Sequence, residues 1–140
     1  MVEFEISESL KDLHAARKIR EKVFIEEQGF EVEFDNIDES ATHILLTIDG
    51  DPAATGRVFP KEDGVYILGR IAVLPQYRGR ALGKILVGKL EKIAKSQNAR
   101  TVVLSAQVRV REFYEKMGYV TIGDPYLDEG CPHIMMEKAL

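Results

Sequence analysis

The apolar positions change period several times along the chain. Val2, Phe4 and Ile6 alternate with Glu3 and Glu5, which predicts a short strand. Leu10, Leu13, Ile19 and Val23 follow at helical spacing with Arg17, Lys18 and Arg20 outside. A helix capped by Ser7 or Ser9 is therefore expected to run to about Glu27, in one or two pieces, and to stop at Gln28-Gly29. Residues 29–40 lack periodicity and read as a loop. The β-rich runs 43–48, 53–59 and 65–74 are separated by Asp49-Gly50-Asp51-Pro52 and Lys61-Glu62-Asp63-Gly64, the pattern of an antiparallel meander. After Pro75, the residues Leu82, Ile85, Leu86, Leu90, Ile93 and Ala94 form the apolar stripe of an amphipathic helix. Residues 101–105 read as a buried strand. Residues 109–117 read as a helix with Val110, Phe113 and Met117 inward and Gly118 beyond its end. Residues 119–122 and 133–136 are the final strands. The strand–helix–strand passage through 65–105 requires a crossover between parallel neighbours. The expected fold is α+β, with a mixed, mostly antiparallel central sheet of about seven strands flanked by about four helices.

Composition narrows this picture without redirecting it. The 140 residues are 45% hydrophobic and 30% charged, the profile of one globular domain spanning 1–140. No membrane span or basic-then-apolar leader is visible, and the lone Cys131 suits a reducing cytoplasm. The net charge of -4 disfavours non-specific nucleic-acid binding. The charge is unevenly spread: residues 1–39 hold twelve acids and five bases, whereas residues 77–100 hold seven bases and one acid. A small polyanion fits that basic segment. No cysteine–histidine cluster suggests a metal.

The basic segment opens with the loop Arg78-Gly79-Arg80-Ala81-Leu82-Gly83-Lys84. A strand, a glycine-bearing loop and a helix start make an anion site, because the first-turn amides and the helix dipole face the ligand. Arg78, Arg80 and Lys84 add cationic donors. Gly83-Lys84 is followed by Ile85 rather than a hydroxyl residue, which excludes a Walker loop. Gly79-x-x-x-Gly83 after a meander also lacks the dinucleotide fingerprint. A glycine-containing connection before a basic surface helix has the same local spacing.

Two motifs in order go further. Residues 73–84, Val-Leu-Pro-Gln-Tyr-Arg-Gly-Arg-Ala-Leu-Gly-Lys, resemble motif A of the GCN5-related N-acetyltransferase (GNAT) superfamily, Gln/Arg-x-x-Gly-x-Gly/Ala. Ala81 stands where the middle glycine is usual and implies an α-region backbone. Phe113-Tyr114-Glu115-Lys116-Met117-Gly118-Tyr119 resembles the superfamily's Phe-Tyr-x-x-x-Gly-Phe/Tyr segment, with Gln107 in the place often filled by asparagine. The resemblance covers the whole chain and is closest to the small bacterial ElaA-like branch, through Val23-Phe24-Ile25-Glu26-Glu27-Gln28, Thr42-His43-Ile44-Leu45 and Gly130-Cys131-Pro132-His133-Ile134 among others.

That resemblance implies a GNAT fold and transfer of an acetyl group from acetyl-CoA to the amine of a small molecule or peptide, by direct attack. Ile71, Ala72 and Val73 would offer backbone groups to the pantetheine arm and the acyl carbonyl. Gly79, Arg80, Ala81, Leu82, Gly83 and Lys84, with Arg78, would hold the diphosphate, and Gln107 and Tyr114 would border the cofactor. Tyr114 is the candidate acid for the departing thiolate. Residues 65–74 lack the glutamate that many members use as base, which leaves His133, then His43, or a water chain. Cys131 could instead accept the acetyl group, against the superfamily's usual direct route. Glu31, Glu33, Asp35, Asp38 and Glu39, near Glu27, would draw a cationic amine toward the acceptor slot, or form only a solvated loop. Gln28 could orient the acceptor, with His43 and Asp38 also on the acceptor side. The rival reading is a non-catalytic acyl-CoA-binding sensor, which needs the loop but neither Tyr114 nor a base. A monomer or homodimer is expected.

Overall fold

The computed structural model describes residues 1–30 and 34–140. Strand β1 (Val2–Ser7) leads through a 3-10 turn (Leu10–Asp12) into α1 (His14–Arg20) and a π-helical turn (Glu21–Glu27). A second 3-10 turn (Asn36–Glu39) precedes the meander β2 (Thr42–Ile48), β3 (Asp51–Glu62) and β4 (Val65–Val73). Helix α2 (Leu82–Ser96), β5 (Thr101–Gln107), α3 (Arg111–Lys116), β6 (Val120–Asp128) and β7 (Cys131–Ala139) complete the order. The strands form one sheet, β1-β2-β3-β4-β5-β7-β6. Only β4–β5 is parallel; the other described pairs are antiparallel. The sheet therefore matches the expected mixed α+β architecture.

The turns follow from their residues. Asp49 (φ 51°) and Gly50 (φ 88°) both take the left-handed region between the paired Ile48 and Asp51, the two-residue hairpin that Asp-Gly favours. Glu129 and Gly130 repeat it between the paired Asp128 and Cys131. The Ser9 side chain makes no cap; instead the Ser9 amide donates to Ser7 Oγ at 3.0 Å.

Two apolar clusters sit on opposite faces of the sheet. On one face α2 buries Leu82, Leu86, Val87, Leu90, Ile93 and Ala94 against residues such as Ile44, Leu46 and Leu68. Gly56 makes that contact possible, since a Cβ there would lie 2.8 Å from Leu90 Cδ1. On the other face α1 and the π turn pack Ala16, Ile19 and Val23 against Leu45 and Ala72. Two sequence expectations are corrected. Ile85 is exposed, because the buried stripe of α2 runs through Val87 instead. Arg20, expected outside, is 1% exposed and faces the sheet.

Candidate active site

β4 is the element that makes a cavity. Its first three residues pair with β5 as Val65↔Thr101, Tyr66↔Val102 and Ile67↔Val103, and there the ladder stops, although both strands continue. The cause is a bulge. Between the pairs Arg57↔Gly69 and Thr55↔Ala72, β3 has one residue and β4 has two. Arg70 takes a left-handed backbone (φ 50°) to fit the extra residue. A bulge bends its strand and increases the local twist, which carries β4 away from β5. The bulge also reverses the alternation of side chains: Leu68 packs in the α2-side cluster, Ala72 in the α1-side cluster. The strands diverge around a cavity of about 990 Å³ lined by Ile71, Ala72 and Val73 on one arm and Leu104, Ser105 and Gln107 on the other. The backbone groups that β4 turns toward this gap have no β5 ladder partner beyond Ile67.

The phosphate loop closes one end. Gly79 (φ 82°) and Ala81 (φ 60°) are both left-handed, with α2 starting at Leu82. Ala81 thus has an α-type backbone of the left-handed kind, which costs a non-glycine residue about 1–2 kcal/mol. Alternation of left- and right-handed backbone turns successive amides to one side as a nest for an anion; here left-handed Ala81 leads into the right-handed first turn of α2, beside the unpaired amides of the helix N-terminus. Gly79, Ala81, Leu82 and Gly83 line the cavity. Gly83 also seats the helix, since a Cβ there would lie 3.2 Å from Phe113 Cζ. Arg80 and Lys84 are outside the cavity lining; the Arg80 guanidinium lies 5.5 Å above the Tyr77 ring. A nest, a helix start and an open strand edge on one cavity fit a diphosphate joined to an amide-bearing arm.

Tyr114 and His133 both line this cavity, from opposite faces of the sheet. Tyr114 belongs to the α2-side cluster and contacts Phe113 and Tyr119 edge-on. Burial raises its pKa to about 12, above the value near 10 assumed from the sequence. Tyr119 beside it is committed to Glu91, donating to Oε2 at 2.7 Å. On β7, Ile134 and Met136 face the α2-side core, so the alternation turns His133 to the other face. His133 pairs with Gln107 across the ladder. Its Nδ1 lies 2.8 Å from the Cys131 carbonyl. A carbonyl only accepts, so Nδ1 carries the proton and Nε2 of the neutral ring is left as an acceptor. Tyr126 stacks on the imidazole (6.1 Å, 25°) and its hydroxyl meets Ser105 Oγ and Met135 Sδ. The irregular register between Ile122 and Tyr126, with Gly123 at φ 70°, places Tyr126 there. Gly123 and Pro125 mark a break in the strand, but nothing in the sequence shows that it brings Tyr126 to Ser105 and His133.

The residues expected on the acceptor side separate into two groups. Gln28 lines the cavity and its Oε1 accepts from Gln107 Nε2 at 3.0 Å. Asp38 and His43 do not line it. Asp38 is buried and accepts from Arg20 (2.8 and 3.0 Å) and Arg57 (2.8 Å). Burial opposes its ionisation, but the Arg20 and Arg57 hydrogen bonds and charges outweigh burial and bring the carboxyl down to about 2. Asp35 accepts from Arg57 (2.7 and 3.1 Å) and Arg70 (3.1 Å). His43 is 1% exposed, its Nε2 donates to the Asp38 carbonyl at 2.9 Å, and burial lowers its pKa. Asp35 and Asp38 therefore anchor the loop to the sheet. Glu31 and Glu33 lie outside the described residues. Among the described residues, the acids on the cavity are Asp128 and Glu129 at the β6–β7 turn, facing the same space as Arg70 and Arg109. Cys131 lies by a smaller cavity that shares Gln28, Gln107 and Arg109 with the first.

Comparison with known proteins agrees with this architecture. Residues 10–140 match the model of the acetyltransferase (GNAT) domain. YjcF of Bacillus subtilis (strain 168), named an uncharacterized N-acetyltransferase, is 37% identical over 134 residues, covering 94% of this chain and 93% of the relative. The crystal structure of an acyl-CoA N-acyltransferase from Pseudomonas aeruginosa superposes with a TM-score of 0.88 at 27% identity over 99% of this chain and 100% of that one. Escherichia coli ElaA superposes with a TM-score of 0.88 at 26% identity over 99% of each chain. No helix among the described residues is long and apolar enough to cross a membrane.

Proposed function

The chain belongs to the acetyltransferase (GNAT) family, and on that premise we propose that it moves an acetyl group from acetyl-CoA to the amine of a small molecule or peptide by direct attack. The observation that carries the reading is the gap in the sheet. β4 loses its β5 partner beyond Ile67, and the same cavity ends on the left-handed loop at Gly79 and Ala81. The backbone of Gly79, Ala81, Leu82 and Gly83 would hold the diphosphate, with Arg80 and Lys84 as flanking charge. The free edge at Ile71, Ala72 and Val73 would pair with the pantetheine amides. A β4 amide would donate to the acyl oxygen as charge builds there. Bound acetyl-CoA supplies an activated acyl carbon; the new bond joins that carbon to the amine nitrogen, and the carbon–sulfur bond breaks.

The two faces divide the proton chemistry. His133 Nε2 takes the proton that the amine loses. Tyr114, on the other face, donates a hydrogen bond to the sulfur. At a pKa of about 12 it keeps its proton, since full transfer to a thiolate of pKa near 8.5 is uphill by about 5 kcal/mol. Proton acceptor and hydrogen-bond donor on opposite sides of one slot favour a transferase over a sensor, which needs neither. Asp128 and Glu129 at the mouth suit a cationic acceptor.

Thiol release from acetyl-CoA across a broad amine panel tests this. Turnover on at least one amine is expected, with His133→Gln slowing it by about a hundredfold. Acetyl-CoA binding without turnover on any amine would establish the sensor instead.

A further inference from the structure

Arg78 holds the first position of the loop motif, where a cation for the diphosphate is expected. Its guanidinium is already engaged inside the protein at all three nitrogens. Nε donates to the Val73 carbonyl at 3.0 Å. Nη1 and Nη2 donate to Glu27 Oε2 and Oε1 at 2.7 Å each. Two parallel bonds from a planar fork to a carboxylate make a short, directional contact. It joins residues 51 positions apart. The Arg78 hydrogen bond, with the charges of Arg78 and Arg109, holds the Glu27 carboxyl below its ordinary value.

Glu27 ends the π-helical turn, and the next residue, Gln28, is bonded to Gln107 at the end of β5. The turn is thus fastened to both arms of the open slot, at Arg78 just beyond β4 and at Gln107. Phe24, Gln28 and Phe30 of this segment form one wall of the cavity, with the two rings stacked 6.4 Å apart. π-helical turns are rare and frequent at functional sites; two fastenings at the adjacent residues Glu27 and Gln28 hold the C-terminal end of this one in place.

We propose that Arg78 is a positioning residue, which fastens the π-helical turn to the phosphate loop and so fixes the acceptor-side wall, while the diphosphate is held without its guanidinium. The proposal rests on the acetyl-CoA reading of the cavity. Both partners are partly exposed, with side chains 43% and 38% accessible, so removing the pair moves the wall without unfolding the protein.

The charge-neutral double variant Arg78→Gln/Glu27→Gln tests it, because it removes the guanidinium without leaving an unpaired acid near the diphosphate. Two quantities are measured: the Kd for coenzyme A by calorimetry, and hydrogen exchange at the Gln28, Gly29 and Phe30 amides, which bond to Val23, Ile25 and Phe24 carbonyls. The expected result is a Kd within about threefold of wild type, with exchange at those amides about tenfold faster. The reversed pair Arg78→Glu/Glu27→Arg should restore slow exchange. A Kd weakened about tenfold or more would show Arg78 to be a phosphate ligand and overturn the proposal. Unchanged exchange would also overturn it, because the pair would then fasten nothing. Failure of the wild-type protein to bind coenzyme A sinks the acetyl-CoA reading itself, and shows as that rather than as a difference between variants.

Discussion

Tyr114 shows how burial decides what a side chain can do. Held at a pKa of about 12, it stays protonated at any working pH and, in the proposed reaction, serves as a hydrogen-bond donor. Tyr114→Phe should therefore lower kcat by about tenfold to a hundredfold and leave the Kd for coenzyme A nearly unchanged, as single-turnover kinetics beside calorimetry would read. Ala81, which lines the same cavity, has the opposite problem: its conformation is unfavourable but its role does not depend on its methyl group. Glycine at φ 60° removes about 1–2 kcal/mol of strain and loses up to about 1 kcal/mol through the freer unfolded chain. Ala81→Gly should raise Tm by about 2 °C with coenzyme A binding intact. Gly83→Leu should do the reverse, since its side chain would press into Phe113 and displace the start of α2. Loss of coenzyme A binding in a folded protein is expected, and retained affinity would move the diphosphate elsewhere.

At the scale of elements, the acidic loop is bound to the sheet by charge, with Phe34 packed against the α1-side cluster. Arg20 from α1 and Arg57 from β3 converge on Asp38, with Asp35 bridging Arg57 to Arg70. The Phe34 ring lies under both Arg17 and Arg20 (4.7 and 4.8 Å). Asp38→Asn should cost about 3 kcal/mol, because buried arginines lose their counter-charge. The pH dependence has a definite sign. The folded carboxyl sits near 2 and the ordinary value is 3.8, so the stabilisation is complete above about pH 4 and is lost as pH falls toward 2. Thermal melts from pH 5 to pH 2 should show a steep decline in the wild type and a shallower one in Asp38→Asn. This network is also what the sequence hid. An arginine on a predicted helix reads as solvent-facing unless its partners are known, and the partners of Arg20 lie on an aperiodic loop and a distant strand. For the same reason five clustered acids read as a substrate field, while among the described ones Asp35 and Asp38 are counter-ions to the arginines and Glu39 is exposed. The alternating and helical runs, by contrast, were legible. β2 is a continuous run buried on both faces, and the helical period of α2 marks its buried stripe, with Ile85 the local exception.

For the molecule as a whole, the site is the point where the sheet is incomplete. The turn at 79–83 and the helix start after it were readable because glycines before an apolar stripe leave a local signature, whereas Tyr114 stood out only through the family resemblance. The gap itself was not readable, since the pairing of β4 with β5 is settled by an extra residue whose left-handed backbone has no signature in an arginine. The assignment of His133 and Tyr114 to opposite faces likewise depends on register, which only the assembled sheet fixes. The bulge at Arg70 then has a consequence for how fold and catalysis are encoded. Leu68 and Ala72 are four positions apart yet serve opposite cores, so removing one residue between them would put Ile71 and Val73 back in phase with Leu68. A protein lacking Arg70 could then continue its ladder along β5 with its α2-side contacts in place. It should melt cooperatively, with native circular dichroism, and have no measurable affinity for coenzyme A. Coenzyme A binding by this chain would on that view depend on one surplus residue, an interruption that folding tolerates rather than requires.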